Sequence, residues 1–260
     1  GWRGETEHVF RGFLDLDPEG CAIAELDGDP VGVCVAVSYG TCGFLGELIV
    51  LEKFRGRGYG RMLMEHSMEY LRSLGCTSIC LDGDEPATIL YEKLGFAHIC
   101  KSLRFIGTIS GAVSKSVRPM VSSDMEKVAA FDADAFRADR SRYLRRRFNL
   151  FPELCKVSIL GDRIVGYIMG QPGIGVTSVG PWVVGSSMEI PTDLLHAMAV
   201  EAGGTQIRVG VLETNTRAVS LLRRIDGLEE TTPSFRMVYG EEAKLGTSSQ
   251  LFAIGSAAKG

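Results

Sequence analysis

The feature that most constrains the fold of this chain is an internal repeat of strand, turn and helix patterns. Residues 87–94 resemble residues 218–225, an offset of 131 positions, and a glycine follows each segment within two residues. The strand pairs around Gly32 and Gly166 are offset by 134 positions, so the two spacings nearly agree. A shared spacing of this kind indicates a duplicated structural unit.

The first copy, residues 1–110, has the clearer pattern. Apolar stretches broken at residues 27–30 predict a β-hairpin over residues 20–39, because Asp, Gly and Pro favour tight turns. Its further elements are predicted as a strand at 44–51, a helix at 59–74, a strand at 78–81, a helix at 86–94 and a strand from Phe96. The second copy, residues 111–260, repeats the hairpin at 157–170. We therefore predict an α/β chain of two tandem halves, each with a mixed central sheet flanked by helices.

Composition argues against several classes of protein. The 260 residues carry a formal net charge of −4, which gives no strong attraction to nucleic acid or to a membrane surface. No apolar run approaches the roughly 20 residues of a transmembrane helix, and the N-terminus lacks the apolar core of a signal peptide. The seven cysteines and four histidines show no disulfide or metal-ligand spacing. We therefore expect a cytoplasmic protein with reduced thiols, no metal, and no nucleic-acid or membrane partner.

A glycine-rich turn between a predicted strand and a predicted helix is the strongest chemical signal. It reads Arg-Gly-Arg-Gly-Tyr-Gly over residues 55–60 and is followed by Arg61. Glycines let backbone amides approach an anion closely, a helix N-terminus adds unsatisfied donors, and arginines add positive charge. The spacing departs from the dinucleotide-binding Gly-x-Gly-x-x-Gly pattern, and the P-loop lysine is absent. The turn therefore predicts a pyrophosphate site, with a glycine turn that binds nothing as the alternative.

Two motifs resemble the GNAT superfamily of N-acetyltransferases. Residues 48–50, followed by the turn at residues 55–60, resemble its acetyl-CoA-binding motif, Gln/Arg-x-x-Gly-x-Gly/Ala. Residues 91–96, Tyr-Glu-Lys-Leu-Gly-Phe, resemble the end of the family's late helix, in the right order and at the right separation. The resemblance implies a GNAT-like fold in each half and acetyl-CoA as the co-substrate.

The resemblance extends over nearly the whole chain to a subgroup of tandem GNAT proteins whose C-terminal half is degenerate. Matching segments include residues 1–3, 26–32, 180–181 and 251–254. Residues 1–2 match the inside of the family's first helix, so the first strand and part of that helix are expected to be missing. Residues 185–187, Gly-Ser-Ser, replace the glycine-rich turn in the second half, and Leu222 stands at the position of Tyr91. The first half is therefore expected to carry the chemistry.

The resemblance also implies roles for individual residues. The pantetheine arm of acetyl-CoA is expected on the backbone of three strand residues, Leu48, Ile49 and Val50. The pyrophosphate is expected on seven turn residues, Arg55, Gly56, Arg57, Gly58, Tyr59, Gly60 and Arg61. Tyr91 matches the family tyrosine that protonates the departing CoA thiolate. The general base stays open between Glu47 and Asp82, and either carboxylate could be structural, with a chain of waters in place of a base.

Taken together, the resemblance implies transfer of an acetyl group from acetyl-CoA to the primary amine of a small molecule or peptide. No residue names that acceptor, and the sequence leaves the oligomeric state open. The first alternative is a non-catalytic acyl-CoA-binding regulatory module. The second is a scaffold whose halves only mediate assembly.

Two features of the second half have more than one interpretation. Six arginines between residues 137 and 147 are predicted on one helix. Such a run usually forms a solvated face, here paired with aspartates, although it could attract an anionic acceptor. Trp182 is predicted either in the core or at an acceptor cleft between the halves.

Overall fold

A computed structural model describes residues 6–187, 189–241 and 245–260. The match at residues 1–3 lies outside the described residues. The chain forms two compact α/β units. Of the described residues, the first unit contains 7–100, 234–241 and 257–260, and the second contains 6, 101–187, 189–233 and 245–256.

The first unit is built from a short sheet and its helices. Its elements in chain order are α1 (Glu7–Leu16), β1 (Cys21–Leu26), β2 (Asp29–Tyr39), β3 (Cys42–Val50), α2 (Tyr59–Ser73), β4 (Ser78–Gly83) and α3 (Glu85–Lys93), followed by the start of β5 (Ala97–Gly107). The sheet order is β1-β2-β3-β4, with antiparallel neighbours except for the parallel pair β3 and β4. The elements predicted for the first copy are confirmed, with ends shifted by one or two residues.

Local sequence explains why these elements form. Asp27 and Gly28 have φ values of 53° and 88°, so the β1–β2 hairpin closes through the predicted turn. One face of α2 is apolar, and its buried members are Leu63, Met64, Met68 and Leu71. The chain leaves this helix through Gly75, whose φ of 87° suits glycine.

The second unit repeats this architecture. Its elements are β6 (Val117–Pro119), α4 (Met125–Phe136), α5 (Ser141–Leu150), β7 (Cys155–Leu160), β8 (Arg163–Pro172), β9 (Val176–Val184), α6 (Ile190–Glu201), β10 (Gln206–Leu212), α7 (Thr216–Leu222), the start of β11 (Leu228–Gly240), and β12 (Leu251–Ala253). The sheet order is β5-β10-β9-β8-β7-β6, and β12 pairs with β9. The hairpin predicted at residues 157–170 is confirmed as β7 and β8.

Each unit completes its sheet with a strand from the other half of the sequence. In the first unit, residues 235–240 of β11 pair antiparallel with residues 78–83 of β4. In the second unit, residues 102–107 of β5 pair antiparallel with residues 207–212 of β10. Neither unit is therefore one continuous stretch of sequence. The boundary after residue 110 was predicted between the two sequence repeats, and it stays a prediction.

The predicted arginine helix is wrong in its extent. α4 ends at Phe136, because the next residue, Arg137, has a left-handed φ of 69° that cannot continue a helix, and a separate helix, α5, follows. Arg140 is buried and pairs with Asp132 at 2.8 Å. Arg147 is also buried and donates to the Gly180 carbonyl at 3.0 Å. These two arginines therefore hold the second unit together rather than forming a solvated face.

Each unit has its own apolar core. In the second unit the core includes Trp182, which is fully buried with its ring centroid 5.2 Å from that of Phe252, as the core interpretation predicts. Within the described ranges, no helix combines the length and apolar character needed to cross a membrane. Among those same residues, no group of three or more His, Cys, Asp or Glu side chains is arranged to hold a metal ion.

Candidate active site

The glycine-rich turn has a backbone conformation that glycine adopts easily. Gly56 and Gly58 have φ values of 74° and 92°, and Gly58 is the N-cap of α2. A side chain at such a φ is strained, which explains glycine at both positions. An ideal Cβ at either position would meet no atom within 4 Å. The turn therefore borders open space, as the predicted cradle requires.

The start of α2 supplies amide donors and positive charge. The first amides of a helix have no intrahelical acceptor, and no side chain caps this helix. The Arg57 guanidinium carbon lies 5.6 Å from the ring centroid of Phe54. Arg55 donates to the carbonyl at the end of β3 at 3.0 Å, and Arg61 pairs with Glu65 at 2.8 Å. All three arginines are exposed, so together with the helix dipole they favour an anion here.

The last two residues of the motif lie in the first turn of α2. Tyr59 is packed edge-on against Phe54, with ring centroids 6.2 Å apart. An ideal Cβ at Gly60 would lie 3.6 Å from the Leu90 side chain and 3.7 Å from that of Val50, which is ordinary van der Waals contact. The protein itself therefore has room for a methyl group at Gly60, so packing within the protein does not require glycine there.

β3 and β4 separate where the predicted pantetheine-binding segment begins. Their parallel pairing stops at Leu45 and Leu81, although both strands continue. Residues 48–50 are half-buried, and on the β4 side no described strand pairs with them. We call the space between residues 46–50 and residues 82–83 the first gap. Its backbone edge is available to an extended ligand.

Glu47 lies on a β-bulge at the narrow end of the first gap. The register of β2 and β3 shifts between Val33 and Val35, and Glu47 has a φ of 50°. A bulge inserts one extra residue and redirects a side chain. Glu47 is only 8% exposed. Burial first, and then the nearby Glu47 charge, raise the pKa of the Cys34 thiol to about 11, and this thiol donates to the Gly46 carbonyl at 3.7 Å.

Tyr91, on α3, covers the end of β4. A Cβ at Gly83 would lie 2.4 Å from the Tyr91 ring carbon Cε2, so the ring fills the place that this glycine leaves. Burial, followed by the charges of Cys34 and Asp84, raises the pKa of Tyr91 above its usual value. Tyr91 therefore keeps its proton at neutral pH. Cys34 interacts electrostatically with both Glu47 and Tyr91.

Asp82 has a different environment. Its side chain is fully buried and forms an ion pair with Arg236, which lies directly opposite on β11. Arg236 also lies over the ring of Phe44, 4.8 Å from its centroid. A buried carboxylate paired with a guanidinium holds its negative charge firmly. This environment favours the structural interpretation of Asp82, and its role as a base stays a prediction.

Sequence reasoning missed Arg236 and Cys34. Arg236 stands within the apolar stretch 235–239, and Asp82 directly follows the predicted strand at 78–81, so these two isolated charges were the available signal. Cys34 lies in an apolar strand, where a thiol behaves as a small apolar side chain, so the sequence around it gave no chemical signal. Its position beside Glu47 depends on the β2–β3 register, and a sequence does not reveal a bulge in advance.

Comparison with known proteins gives the family. The family model described as acetyltransferase (GNAT) family matches residues 1–96, and that described as acetyltransferase (GNAT) domain matches residues 128–253. An N-acetyltransferase of Archaeoglobus fulgidus that has not been characterised is 34% identical over 73 residues, which are 25% of this chain and 50% of that protein. Glucosamine 6-phosphate N-acetyltransferase of Arabidopsis thaliana is 30% identical over 59 residues, 23% of this chain and 40% of that protein. These alignments span half or less of the relatives' length.

Similarity to a solved structure agrees with the match to the family models. The crystal structure of a candidate acetyltransferase from Pyrococcus horikoshii matches with a TM-score of 0.82 and 22% identity, over 97% of this chain and 84% of that chain. At this identity the likeness shows the fold alone. The two family models match successive parts of the sequence that together include most of it. The chain therefore belongs to the GNAT acetyltransferase family and contains two GNAT domains in tandem.

Proposed function

We propose that this protein is an acetyl-CoA-dependent N-acetyltransferase that acetylates a primary amine of a small molecule or peptide. The observation that carries the proposal is the first gap, which leads from Glu47 along β3 to the glycine-rich turn. Acetylation of an amine is supported by the relatives, which are named as N-acetyltransferases. One of them is named for glucosamine 6-phosphate.

Acetyl-CoA suits the gap and the turn because it is an extended ligand with an amide-rich arm and a charged end. The arm is proposed to bind the backbone of Leu48, Ile49 and Val50, whose edge β4 leaves exposed to a ligand. The pyrophosphate is proposed to bind the seven residues of the turn, Arg55, Gly56, Arg57, Gly58, Tyr59, Gly60 and Arg61. Open space beside Gly56 and Gly58 lets an anion approach the backbone closely.

Glu47 is proposed as the general base. An amine with a pKa near 10.4 is only about one part in a thousand neutral at pH 7, so deprotonation costs roughly 4–5 kcal/mol. A carboxylate at the narrow end of the gap can accept that proton directly or through water. Glu47 is buried there on a bulge, which holds its side chain in one place. We favour Glu47 over Asp82, because the carboxylate of Asp82 is held by Arg236.

Tyr91 is proposed as the general acid. When the carbon–sulfur bond breaks, the CoA thiolate needs a proton, and a buried phenol with a raised pKa still carries one at neutral pH. The phenol is a weaker acid than the thiol it forms, so the transfer depends on placement and on simultaneous bond breaking. Proximity of the two groups therefore matters more than their acidity in solution.

Calorimetric titration with acetyl-CoA tests the proposal. The parent should bind one equivalent, and Gly58→Leu should weaken binding by about 100-fold, close to 2.7 kcal/mol, since its side chain would fill the space where the phosphate binds. Gly28→Leu is the matched control, because Gly28 has a similar φ of 88° and an equally open surrounding in the β1–β2 turn. Equal affinities for the Gly58 and Gly28 variants would refute the assignment of the turn.

Release of free CoA thiol with a panel of primary amines then tests transfer itself. Amine-dependent release supports the transferase. Tight binding of acetyl-CoA without release for any amine would instead favour the non-catalytic acyl-CoA-binding module. Absence of binding by the parent would reject both and favour the scaffold.

A further inference from the structure

The β-bulge at Glu47 has a single residue of β2 opposite it. Two register pairs flank the bulge, Val33 with Ile49 and Val35 with Gly46. Between these pairs, β2 has only Cys34, whereas β3 has Glu47 and Leu48. Two residues opposite one is the arrangement that defines a bulge. The register therefore places Cys34 directly across from the proposed general base.

The bulge changes which residues of β3 reach the core under α2. Leu45, before the bulge, belongs to that core, and Leu48 and Val50, after it, pack against the same core. In an unbroken strand successive side chains alternate between the two faces, so positions 45 and 48 could not share one. The alternation therefore shifts by one residue at the bulge, and the direction of the Glu47 side chain depends on how the backbone is held there.

Glu47 has an unusual backbone conformation for its place in the chain. Three described residues other than glycine have a left-handed φ, Asp27, Glu47 and Arg137. Asp27 lies in a tight turn and Arg137 directly follows a helix, where such values are common, but Glu47 lies inside a strand. Glycine would adopt this conformation at lower cost. A strained residue of this kind persists only where its surroundings hold it, and it often marks a functional site.

Cys34 supplies a contact that holds this conformation. Its thiol donates to the Gly46 carbonyl at 3.7 Å, and that carbonyl belongs to the peptide bond between Gly46 and Glu47. The plane of this peptide bond sets the φ of Glu47. Cys34 is fully buried, so water does not compete for the carbonyl. Burial raises the pKa of the thiol to about 11, so the thiol keeps its proton at neutral pH.

We propose that Cys34 is a positioning residue for the general base, because its thiol holds the Gly46–Glu47 peptide and thereby directs the Glu47 carboxylate. This inference rests on the proposed function and adds to it a residue that does not itself contact the reactants. A thiol that only filled space in the core would contribute to stability without acting through Glu47. The two roles predict different results when Cys34 and Glu47 are changed together.

A kinetic double-mutant cycle tests the proposal through release of CoA thiol with the best primary amine of the panel. Glu47→Gln should lower kcat by about 100-fold. Cys34→Ala should lower it by about 10-fold, because the base is misplaced. The double variant should stay within twofold of Glu47→Gln, since residues that act as a unit are not additive. The affinity of Cys34→Ala for acetyl-CoA, measured by calorimetry, should change less than twofold.

Cys76→Ala is the matched control. Cys76 is also buried in the core under α2, and its thiol donates to the Gly40 carbonyl at 3.2 Å, beyond the other end of β2. Its kcat should stay within twofold of the parent. Cys34→Ser is a second variant at the tested position, and it should lose less activity than Cys34→Ala because a hydroxyl can still donate.

A further readout needs no substrate. Hydrogen exchange of the backbone amides of residues 46–48 should be about 10-fold faster in Cys34→Ala than in the parent and unchanged in Cys76→Ala, because only the first substitution loosens the bulge. The inference is overturned if this exchange is unchanged in Cys34→Ala. It is also overturned if Cys34→Ala slows Glu47→Gln by the same factor as it slows the parent, or if Cys34→Ser is slower than Cys34→Ala.

Failure of the proposed function gives different results. A parent that releases no CoA with any amine would reject the transferase. A Glu47→Gln variant as fast as the parent would reject Glu47 as the base, and this inference with it. A slow Glu47→Gln variant beside a Cys34→Ala variant with the kcat of the parent would reject this inference alone.

Discussion

The two units separate their central parallel strands at matching places, and they differ in what enters the space. In the first unit the pairing of β3 with β4 ends at Leu45. In the second unit the pairing of β9 with β10 ends at Val179, 134 positions later, which is the offset of the hairpins. The second gap, between residues 180–184 of β9 and 210–212 of β10, contains β12. The first gap contains no described strand.

β12 satisfies the backbone of the second gap on both sides. Leu251 and Ala253 pair with β9, and the Ile254 amide donates to the Gly210 carbonyl of β10 at 2.9 Å. All three of these residues are buried. The strand runs from the wide end of the gap to Gly180, whose ideal Cβ would lie 1.9 Å from the Ile254 carbonyl oxygen. The chain's own backbone thus fills the position in which we propose that the first unit binds pantetheine.

The second gap also differs from the first at its wide end, where residues 185–187 replace the glycine-rich turn. Arg217 donates to the carbonyls of Gly185 and Ser187 at 3.2 Å and 2.8 Å, and its guanidinium carbon lies 5.3 Å from the Phe252 ring centroid. The loop that replaces the glycine-rich turn therefore directs carbonyl groups, rather than amides, toward this cation. One fold can therefore present either an open gap or a closed core, depending on what occupies the gap.

The largest expected effect is a loss of unfolding free energy when the packing of β12 is weakened. Phe252→Ala removes a ring that is 2% exposed and should lower the free energy of unfolding by about 3–5 kcal/mol. Urea unfolding measures this loss, and Val113→Ala, at a position that is 88% exposed, is the control with a change below about 0.5 kcal/mol. Acetyl-CoA binding should stay at one equivalent, because the sequence of the second unit has Gly-Ser-Ser at residues 185–187 in place of the glycine-rich turn. Binding of a second equivalent of acetyl-CoA would show that the two units do not differ in this way.

Removal of the Tyr91 hydroxyl should affect turnover next most strongly. Tyr91→Phe is expected to lower kcat by about 100-fold, or about 2.7 kcal/mol, through loss of the general acid. The affinity for acetyl-CoA should change less than twofold, since the ring still covers β4. Leu222→Met alters the corresponding position of the second unit and should leave kcat unchanged. A kcat of Tyr91→Phe equal to that of the parent would contradict the proposed role of Tyr91 as general acid.

The hairpin offset pairs Cys34 of the first unit with Ile168 of the second, so only the first unit has a titratable group there. The folded pKa of Cys34 is raised from about 9 to about 11, so its stabilising contribution is present below pH 9 and is lost as pH rises to 11. The loss of unfolding free energy is at most about 3 kcal/mol. Urea unfolding of the parent and of Cys34→Ala across pH 8–11 should show a shallower decline for the variant. Parallel curves would contradict the burial of this thiol.

Substitution of Asn215 has the smallest expected effect on stability. It compares two roles of this side chain, the cap of α7 and the contact with β12. Its Oδ1 accepts from the Ala218 amide at 3.1 Å and caps α7, while its Nδ2 donates to the Leu251 carbonyl at 2.8 Å. Asn215→Ala should cost about 2 kcal/mol of unfolding free energy. Asn215→Asp keeps the cap but places a carboxylate oxygen against the buried Leu251 carbonyl, so it should cost at least as much as Asn215→Ala. An Asp variant clearly more stable than the Ala variant would show that the cap dominates.

Sequence alone predicted much of the local structure and most of the candidate ligand site. The hairpins followed from turn residues, and α2 followed from its apolar period, because these signals lie within a few residues of each other. The glycine-rich turn was also local, and its positive φ values agree with the prediction of a cradle. The roles of Leu48, Ile49, Val50 and Tyr91 came from family resemblance and stay predictions.

The tertiary structure decided which residues meet across long separations. β11 pairs with β4, so Arg236 faces Asp82 from 154 positions away, and Ala258 reaches Gly46 from the other end of the chain. It also decided that the first gap stays free of any described strand while β12 fills the second. Local propensity is set by neighbours in sequence, whereas these contacts depend on strand order and register, which no short segment encodes by itself.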